Sequence, residues 1–353
     1  MRIALLGVGL IGGSIGLAAK EHVEEVVGFD PDPLDAALRH GALHRAAGSV
    51  AEALDGAGAA FLCAPVGALP ALLDEALAAA PPDCVVTDVG SVKRLFQGNE
   101  DERFVGGHPI AGAETSGVSH ARGDLFAGAP WYLTPSPRSS GLLYERLHRL
   151  IVAFGAHPVA IDAETHDRLL AGVSHLPHVL ANVLVSQAAG LLSAEGEALP
   201  RVGPSFRDAT RVAGASSRIW TDIYATNAEA IAAEIDETVR RLTEAAGLLR
   251  SGDPAAIESW NEAARGDRRR LLEADLAGGE VRELRVSVPN RPGIVAQVAL
   301  ALGKAGVNIL DMALAPAPDM RSGAMTLWLA GEDAAARAEA LVEELGYPVA
   351  RGE

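Results

Sequence analysis

Cysteines and aromatic residues are scarce in this 353-residue chain, which has two cysteines and 4% aromatic residues. Two cysteines cannot form a disulfide framework. Cys63 and Cys84 both lie in apolar, strand-like runs, so we expect buried free thiols. Basic residues are also in the minority, with 30 lysines and arginines against 46 acidic residues and a net charge of −16. Because a nucleic-acid-binding protein needs a basic face, this balance argues against nucleic acid as a partner.

Long apolar runs are missing from the sequence as well. We find no stretch of the roughly 18 uninterrupted apolar residues that a membrane span requires. The apolar run at residues 2–6 leads directly into glycines, which is unlike a signal peptide. We therefore expect a cytoplasmic protein with no membrane partner. Hydrophobic residues nevertheless make up 49% of the chain, and its length is typical of two or three globular domains.

Short apolar runs alternate with Ala- and Leu-rich helical stretches in the first part of the chain. The runs of strand length lie at 2–6, 26–29, 59–63 and 85–87. This alternation indicates βαβ units, and residues 131–135 and 157–161 read as the last strands of the same parallel sheet. We predict an α/β chain that begins with a Rossmann-type domain over residues 1–162.

A glycine loop follows the first predicted strand. It fits the pattern G-x-G-x-x-G, and its residues are Gly7, Gly9, Leu10, Ile11 and Gly12. The glycines allow a tight turn, close approach of a pyrophosphate, and packing of the next helix, whose N-terminus faces the phosphates. Asp30 ends the following strand, where a carboxylate binds both ribose hydroxyls and repels a 2′-phosphate. This combination predicts NAD rather than NADP as the cofactor.

From residue 163 the sequence becomes helical. Residues 163–196 form one long pattern that is interrupted only at residues 175–177, and two more helical stretches follow at 225–250 and 254–276. Helices with continuous apolar faces must be buried, so we expect them to pack against a second copy of the chain. We predict an all-helical substrate and dimerisation domain over residues 163–278.

The last part of the chain returns to a mixed pattern. Residues 281–353 read as strand, helix, two strands, helix and strand. The order βαββαβ is typical of a small ferredoxin-like module.

Three segments carry polar groups in glycine-rich or apolar surroundings, at 87–93, 106–117 and 206–211. His108 lies in the second, between glycines and Pro109, in what we expect to be a glycine-lined turn. A histidine there is a plausible proton acceptor beside a nicotinamide ring. Lys93, at the end of the first segment, is expected to be a solvated lysine.

Together these segments closely resemble the prephenate dehydrogenase family over roughly residues 1–275. The resemblance rests on six motifs in order: the glycine loop with Ser14, residues 90–93, residues 108–117, residues 125–135, residues 174–178, and residues 207–211 leading to Trp220. In addition, residues 284–330 resemble an ACT regulatory domain through residues 291–294 and 305–309.

The resemblance implies NAD-dependent oxidative decarboxylation of prephenate to 4-hydroxyphenylpyruvate, in tyrosine biosynthesis. It assigns His108 to the substrate hydroxyl as base, and Ser91 to the orientation of His108 or of that hydroxyl. Arg211 matches the family arginine that grips a substrate carboxylate, which a guanidinium can do bidentately. The other substrate-site candidates are His175, Glu114, Asp208 and Trp220.

Each of these roles has a plainer alternative. His108 can cap a turn, Ser91 can cap a helix, and Arg211 can form a structural ion pair with Asp208 or Glu114. His175 and His178 share a helix face but have no third ligand nearby in the sequence, so we expect no metal site. His178 reads as a packing histidine.

The resemblance to ACT domains also implies an effector site where the first strand meets the first helix. Its candidate residues are Asn290, Pro292, Gly293, Ile294 and Asn308. Tyrosine, as the pathway end product, is the expected effector. The alternative is a module that serves only dimer contacts.

Other functions remain open on the sequence. The closest alternative is an arogenate dehydrogenase or a dual-specificity cyclohexadienyl dehydrogenase, because those substrates differ only in the side chain. A 3-hydroxyacid dehydrogenase is less favoured, since such enzymes use a lysine that residues 163–200 lack. A non-catalytic amino-acid sensor is the alternative from another functional class.

Overall fold

The computed structural model describes residues 1–112, 115–194, 202–274, 280–289, 294, 297–298, 301–302, 305, 307, 309–317 and 322–352. Contacts within the chain divide it into two compact units, Met1–Arg241 and Leu242–Glu353.

The first unit begins with a five-stranded parallel sheet. Its strands, in chain order, are β1 (Arg2–Leu6), β2 (Glu25–Phe29), β3 (Arg45–Ala46), β4 (Ala57–Leu62) and β5 (Val85–Asp88). The spatial order is β3-β2-β1-β4-β5, and the connecting helices are α1 (Leu10–Ala19), α2 (Asp35–His40), α3 (Val50–Leu54) and α4 (Leu69–Ala79). Along β1, Ile3 and Leu5 join one core cluster and Ala4 and Leu6 join another, so the sheet is buried on both faces. The predicted Rossmann-type sheet is confirmed.

A second sheet of three strands follows in the same unit. It contains β6 (Val105–Pro109), β7 (Pro130–Pro135) and β8 (His157–Ala160), with α5 (Gly141–Ala153) between the last two. The prediction that residues 131–135 and 157–161 continue the parallel sheet is wrong. Strand β7 pairs antiparallel with β6 and parallel with β8, and Val86 and Phe104 form a single bridge between the two sheets.

The rest of the first unit is helical, as predicted. The α-helices are α6 (Ala163–Leu170), α7 (Leu176–Ala194), α8 (Pro204–Thr210) and α9 (Ser217–Thr226), and α10 (Ala228–Ser251) leads into the second unit. The expected interruption at residues 175–177 is a π-helical turn, Ala171–His175, in which the N–H of Leu176 bonds to the carbonyl of Ala171. Pro177 has no N–H to donate, so a widened turn at this point keeps the helix continuous.

Residues Ala163–Leu191 form a helical run that is long and apolar enough to cross a membrane by length and composition alone. The sequence had suggested no such span, because polar residues divide the run. His166 and Asp167 lie near its start and are fully buried within the first unit. A core helix of a soluble protein passes the same test, so this run is weak evidence for a membrane span.

The second unit begins with the end of α10, continues with helix α11 (Pro254–Ala274) and ends in a four-stranded antiparallel sheet. The strands are β9 (Val281–Pro289), β10 (Ile309–Pro316), β11 (Ser322–Ala330) and β12 (Val349–Arg351), in the order β10-β11-β9-β12. Helix α12 (Glu332–Glu344) packs on the sheet through Ala335, Ala338 and Val342. The central pairing of the first and third strands confirms the predicted ferredoxin-like module.

Candidate active site

The glycine loop joins β1 to α1 as predicted. Gly7 has a φ of 100°, and a Cβ at this position would lie 2.6 Å from the carbonyl oxygen of Cys63. A Cβ on Gly12 would overlap the carbonyl oxygen of Gly7, whereas a Cβ on Gly9 would meet no atom within 4 Å. The first and third glycines are therefore required by the fold itself. Gly9 leaves the backbone open to a close neighbour, as a pyrophosphate requires.

Helix α1 begins at Leu10 and Ile11 directly after this loop. Its first turn carries no acidic residue, and no side chain caps its N-terminus. The first N–H groups of a helix have no partner within it and attract anions. Asp30, at the end of β2, accepts bonds from the N–H groups of Val8 (2.7 Å) and Asp32 (2.9 Å). The loop, the helix N-terminus and the carboxylate together fit the dinucleotide site predicted from the sequence.

A buried ion pair lies at the carboxyl end of β5. Asp88 and Lys93 are 0% and 1% exposed, and the Lys93 ammonium contacts the Asp88 carboxylate. The expectation that Lys93 is solvated is wrong. Its Nζ also donates to the carbonyl of Gly107 (2.6 Å), while Asp88 accepts from the N–H groups of Gly107 (3.0 Å) and Gly90 (2.8 Å). The pair therefore holds the residue before His108 through both of its backbone polar groups.

The sequence predicted that His108 lies in a glycine-lined turn, and this prediction is wrong. His108 lies on strand β6. It pairs across the sheet with Tyr132, and its Nδ1 is 2.9 Å from Nε2 of His166. The ring of Tyr132 also meets His166 edge to face, with centroids 5.6 Å apart. The glycines before His108 follow from packing, because a Cβ on Gly107 would lie 2.7 Å from the carbonyl oxygen of Asp88. The strand thus brings the backbone of Gly107, the residue before His108, close to β5.

Asp167, on α6, is the acceptor at the centre of this region. Its Oδ1 accepts from Nδ1 of His166 (2.7 Å) and from the N–H of Lys93 (2.7 Å). Its Oδ2 accepts from the N–H of Arg94 (2.8 Å). The helical segment is therefore bonded to the loop after β5 at the same point where His166 meets His108.

His175 belongs to the same group of residues. Its Nδ1 lies 3.2 Å from Nδ2 of Asn227, and that nitrogen also donates to the backbone carbonyl of Asp167 (2.9 Å). His175 is 1% exposed, and its Nε2 is buried without a hydrogen-bond partner among the described residues. Buried polar atoms are almost always bonded, so this nitrogen is a candidate to bind a ligand.

Aromatic rings form a wall beside His175. His178 stacks on Trp220 with centroids 3.6 Å apart, and Trp220 meets His175 edge to face at 6.0 Å. Nδ1 of His178 contacts the hydroxyl of Tyr224, and Asn182 lies 3.3 Å from both. Trp220, the predicted pocket wall, is thus placed in contact with both histidines.

Burial governs the ionisation of the two site histidines. Desolvation, with smaller contributions from Lys93, His166 and His175, lowers the pKa of His108 well below its usual range. Desolvation also lowers the pKa of His175 to about 4, with the nearby Asp167 acting against it. Both rings are therefore neutral at neutral pH.

The remaining predicted site residues lie on other elements of the chain. Arg211 begins the 3-10 turn Arg211–Gly214, which packs against α7, and its side chain is exposed. Asp208 lies on α8 and is also exposed. Ser91 follows β5 and is partly buried; among the described residues, the ring partner of His108 is His166 and not Ser91. Glu114 lies outside the described residues.

Most of the predicted effector residues cannot be placed. Asn290, Pro292, Gly293 and Asn308 lie outside the described residues. Ile294 is described, and it is buried in the core of the second unit. No group of three His, Cys, Asp or Glu side chains arranged to hold a metal occurs in the part of the chain that the structure describes.

Sequence reasoning missed four residues of this site: Asp88, His166, Asp167 and Asn227. The adjacent pair His166-Asp167, near the start of the helical pattern over 163–196, was the available signal. Asp88 lies in the polar segment 87–93 but was not singled out there, and Asn227 had no distinguishing neighbour in the sequence.

Three family models match the chain in sequence order. The nucleotide-binding domain of prephenate dehydrogenase matches residues 15–160, and the dimerization domain of prephenate dehydrogenase matches residues 162–260. The ACT domain matches residues 282–327.

Individual relatives agree with these matches. The chain is 30% identical to the prephenate dehydrogenase of Bacillus subtilis (strain 168), over 97% of this chain and 95% of that protein. It is 31% identical to the cyclohexadienyl dehydrogenase of Zymomonas mobilis, over 71% of this chain and 89% of that protein. The crystal structure of prephenate dehydrogenase from A. aeolicus in complex with hydroxyphenyl propionate and NAD⁺ matches with a TM-score of 0.70 and 27% identity, covering 76% of this chain and 97% of that chain. The chain belongs to the prephenate dehydrogenase family.

Proposed function

We propose that this protein is an NAD-dependent prephenate dehydrogenase that oxidatively decarboxylates prephenate to 4-hydroxyphenylpyruvate. The observation that carries the proposal is a neutral, partly exposed His108 on β6, in the same bonded group as His175. A complete dinucleotide loop lies in the same unit of the chain. The A. aeolicus relative solved with NAD⁺ supports NAD as the cofactor.

The protein itself contributes little covalent chemistry to this reaction, because the cofactor accepts the hydride. NAD⁺, which the glycine loop and Asp30 would hold, would supply a hydride acceptor for the ring carbon that carries the hydroxyl. His108 accepts the hydroxyl proton, for which its depressed pKa keeps a lone pair available. The ring carboxylate then leaves as CO₂, and the electrons of the broken C–C bond complete the aromatic ring. The former hydroxyl oxygen takes back the proton from His108, so the phenol product forms with no net release of a proton.

Two further residues have proposed binding roles. Arg211 is proposed to bind a carboxylate of the dianionic substrate, because it is an exposed residue of the helical part of the chain and a guanidinium binds carboxylates bidentately. Neutral His175 offers a buried ring nitrogen without a described partner, which suits a hydrogen bond to the substrate. We retain Ser91, Glu114, Asp208 and Trp220 as proposed contributors to the pocket.

Substrate choice is the finer part of the proposal. The Z. mobilis relative is a cyclohexadienyl dehydrogenase, so a chain of this family can differ in the side chain it accepts. We propose prephenate because the B. subtilis prephenate dehydrogenase aligns over nearly the whole of this chain, ACT module included.

The remaining elements of the proposal concern assembly and regulation. We propose a cytoplasmic homodimer formed through the helical domain, with tyrosine as an inhibitor bound at residues 290–294 and 308. The match to a dimerization domain and to an ACT domain supports these assignments. We also propose the domain boundaries 1–162, 163–278 and 281–353.

The test is an absorbance assay for NADH with prephenate and with arogenate, each with and without tyrosine. The proposal expects NADH from prephenate with NAD, and less NADH when tyrosine is added. NADH formation from arogenate but not from prephenate would overturn the substrate assignment. The absence of NADH with either substrate would overturn the proposal that the protein is a dehydrogenase.

A further inference from the structure

We propose that His166 and Asn227 are positioning residues, both anchored on Asp167, that fix His108 and His175 in opposite tautomers. His108 is held with its Nε2 as an acceptor, and His175 is held with its Nε2–H as a donor. This inference rests on the proposed function for its catalytic meaning and on geometry for the tautomers themselves.

The tautomer of His108 follows from the bonds that link Asp167 to His108 through His166. Asp167 accepts from two backbone N–H groups, so its carboxylate acts as an acceptor toward Nδ1 of His166 as well. With its proton on Nδ1, facing Asp167, the imidazole of His166 presents a lone pair at Nε2. The neighbouring Nδ1 of His108, 2.9 Å away, must then be the donor. The lone pair of neutral His108 is left on Nε2.

The tautomer of His175 follows from the bonds that link Asp167 to His175 through Asn227. The backbone carbonyl of Asp167 can only accept, which assigns the nearby side-chain atom of Asn227 as its amide nitrogen. The same nitrogen faces Nδ1 of His175, which must therefore accept. A neutral His175 then carries its proton on Nε2, the buried atom that has no described partner.

The two assignments complement one another chemically. A base must present a lone pair to the substrate hydroxyl, while a neutral group that binds a substrate oxygen must present an N–H. Two unrestrained imidazoles would each populate both tautomers. The Asp167 anchor selects one for each ring, as a buried carboxylate does for the base of a hydrolytic triad.

A purely structural role for these residues makes different predictions. Asp167 also bonds the N–H groups of Lys93 and Arg94, and so ties α6 to the loop after β5. If that were its whole contribution, changes at His166 would lower stability without altering either tautomer. The ring nitrogens must therefore be observed directly.

The experiment uses the full-length protein with ¹⁵N-labelled histidine and reads the tautomers by NMR, alongside steady-state kinetics. We compare His166→Phe, which keeps a ring but removes the acceptor, with His166→Gln, whose amide oxygen can still accept from His108. Asn227→Ala removes the donor to His175. Asp162→Asn is the matched control, because Asp162 caps the same helix through the N–H of Thr165 and does not bond to either site histidine.

In the wild-type protein, His108 is expected to carry its proton on Nδ1 and His175 on Nε2. His166→Phe should mix the tautomers of His108 alone and lower kcat by about 10- to 100-fold, with a small change in the KM for prephenate. His166→Gln should keep most of the wild-type tautomer of His108 and most of the wild-type kcat. Asn227→Ala should mix the tautomers of His175 alone and act chiefly on KM, and Asp162→Asn should resemble the wild type in both measurements.

A proton on Nε2 of His108 in the wild type would overturn the inference. So would a His166→Phe variant with unchanged tautomers, whatever its kcat. If the tautomers behave as expected but the wild type forms no NADH from prephenate or arogenate, the proposed function fails while the positioning by His166 and Asn227 stands.

Discussion

Substitution of Lys93 by methionine should destabilise the protein far more than loss of a surface lysine would. Methionine fills a similar volume but leaves the Asp88 carboxylate, which is fully buried, without its counter-charge. The N–H groups of Gly90 and Gly107 would remain as its only hydrogen-bond donors among the described residues. The result is an uncompensated charge inside the first unit.

The size of the effect follows from the burial of both partners. Removing one partner of a buried ion pair costs about 3–5 kcal/mol, because the remaining charge stays desolvated. Replacing both partners is much less costly, so the double variant Lys93→Met/Asp88→Asn should recover part of the loss. We expect a coupling free energy of at least about 2 kcal/mol between the two positions. The single variant should also lower kcat, because Lys93 holds the carbonyl of Gly107 beside His108.

The assay is urea unfolding of the wild type, both single variants and the double variant. Arg149→Met is the control, because Arg149 pairs with Glu145 on the surface, with side chains 76% and 55% exposed. Its expected change in the free energy of unfolding is within about 0.5 kcal/mol. A Lys93→Met variant within about 1 kcal/mol of the wild type, or fully additive effects in the cycle, would refute the assignment of a buried pair.

Three further predictions concern the substrate, the cofactor and pH. Arg211→Ala should raise the KM for prephenate with little change in kcat in steady-state kinetics; an unchanged KM would place the carboxylate site elsewhere. Asp30→Ser should reduce the preference for NAD over NADP, measured as the ratio of kcat/KM values, and an unaltered ratio would mean that Asp30 is not its source. The pKa of His175 is lowered from 6.5 to about 4 in the folded protein. Between these values the unfolded chain binds more protons, so the free energy of unfolding should fall as pH is lowered from about 6.5 to about 4, by on the order of 3 kcal/mol from this residue. Urea unfolding at several pH values should show that the free energy of unfolding falls less steeply with pH in His175→Phe than in the wild type. Identical slopes in the two proteins would contradict the lowered pKa of His175.

The strands and helices of the first unit were largely predictable from apolar runs and glycine motifs. The runs that gave β1, β2, β4 and β5 have enough apolar residues to mark a buried strand. Strand β6 was missed because Gly106 and Gly107 weaken the strand signal. A Cβ on Gly107 would meet β5 at Thr87 and Asp88, and a Cβ on Gly106 would meet Thr134 of β7. The antiparallel pairing of β6 with β7 could not be read from local sequence.

The site was predicted in part, and the difference lies in long-range bonds. His108 and the glycine loop stand in motifs that are informative by themselves. The burial of Lys93 depends on Gly107, which is 14 residues away, and the partner of His108 is 58 residues away. A sequence read in short windows shows a charged residue after a strand and a histidine on a helix, and gives no reason to pair either one.

The most direct test of the account is the turnover of His108→Asn with prephenate and NAD, followed by NADH absorbance. Asparagine keeps a polar side chain on β6 but cannot take up a proton. The account predicts a kcat lower by roughly 10²- to 10⁴-fold with a KM for prephenate close to that of the wild type. A kcat near the wild-type value would contradict it, because the proton would then have another acceptor.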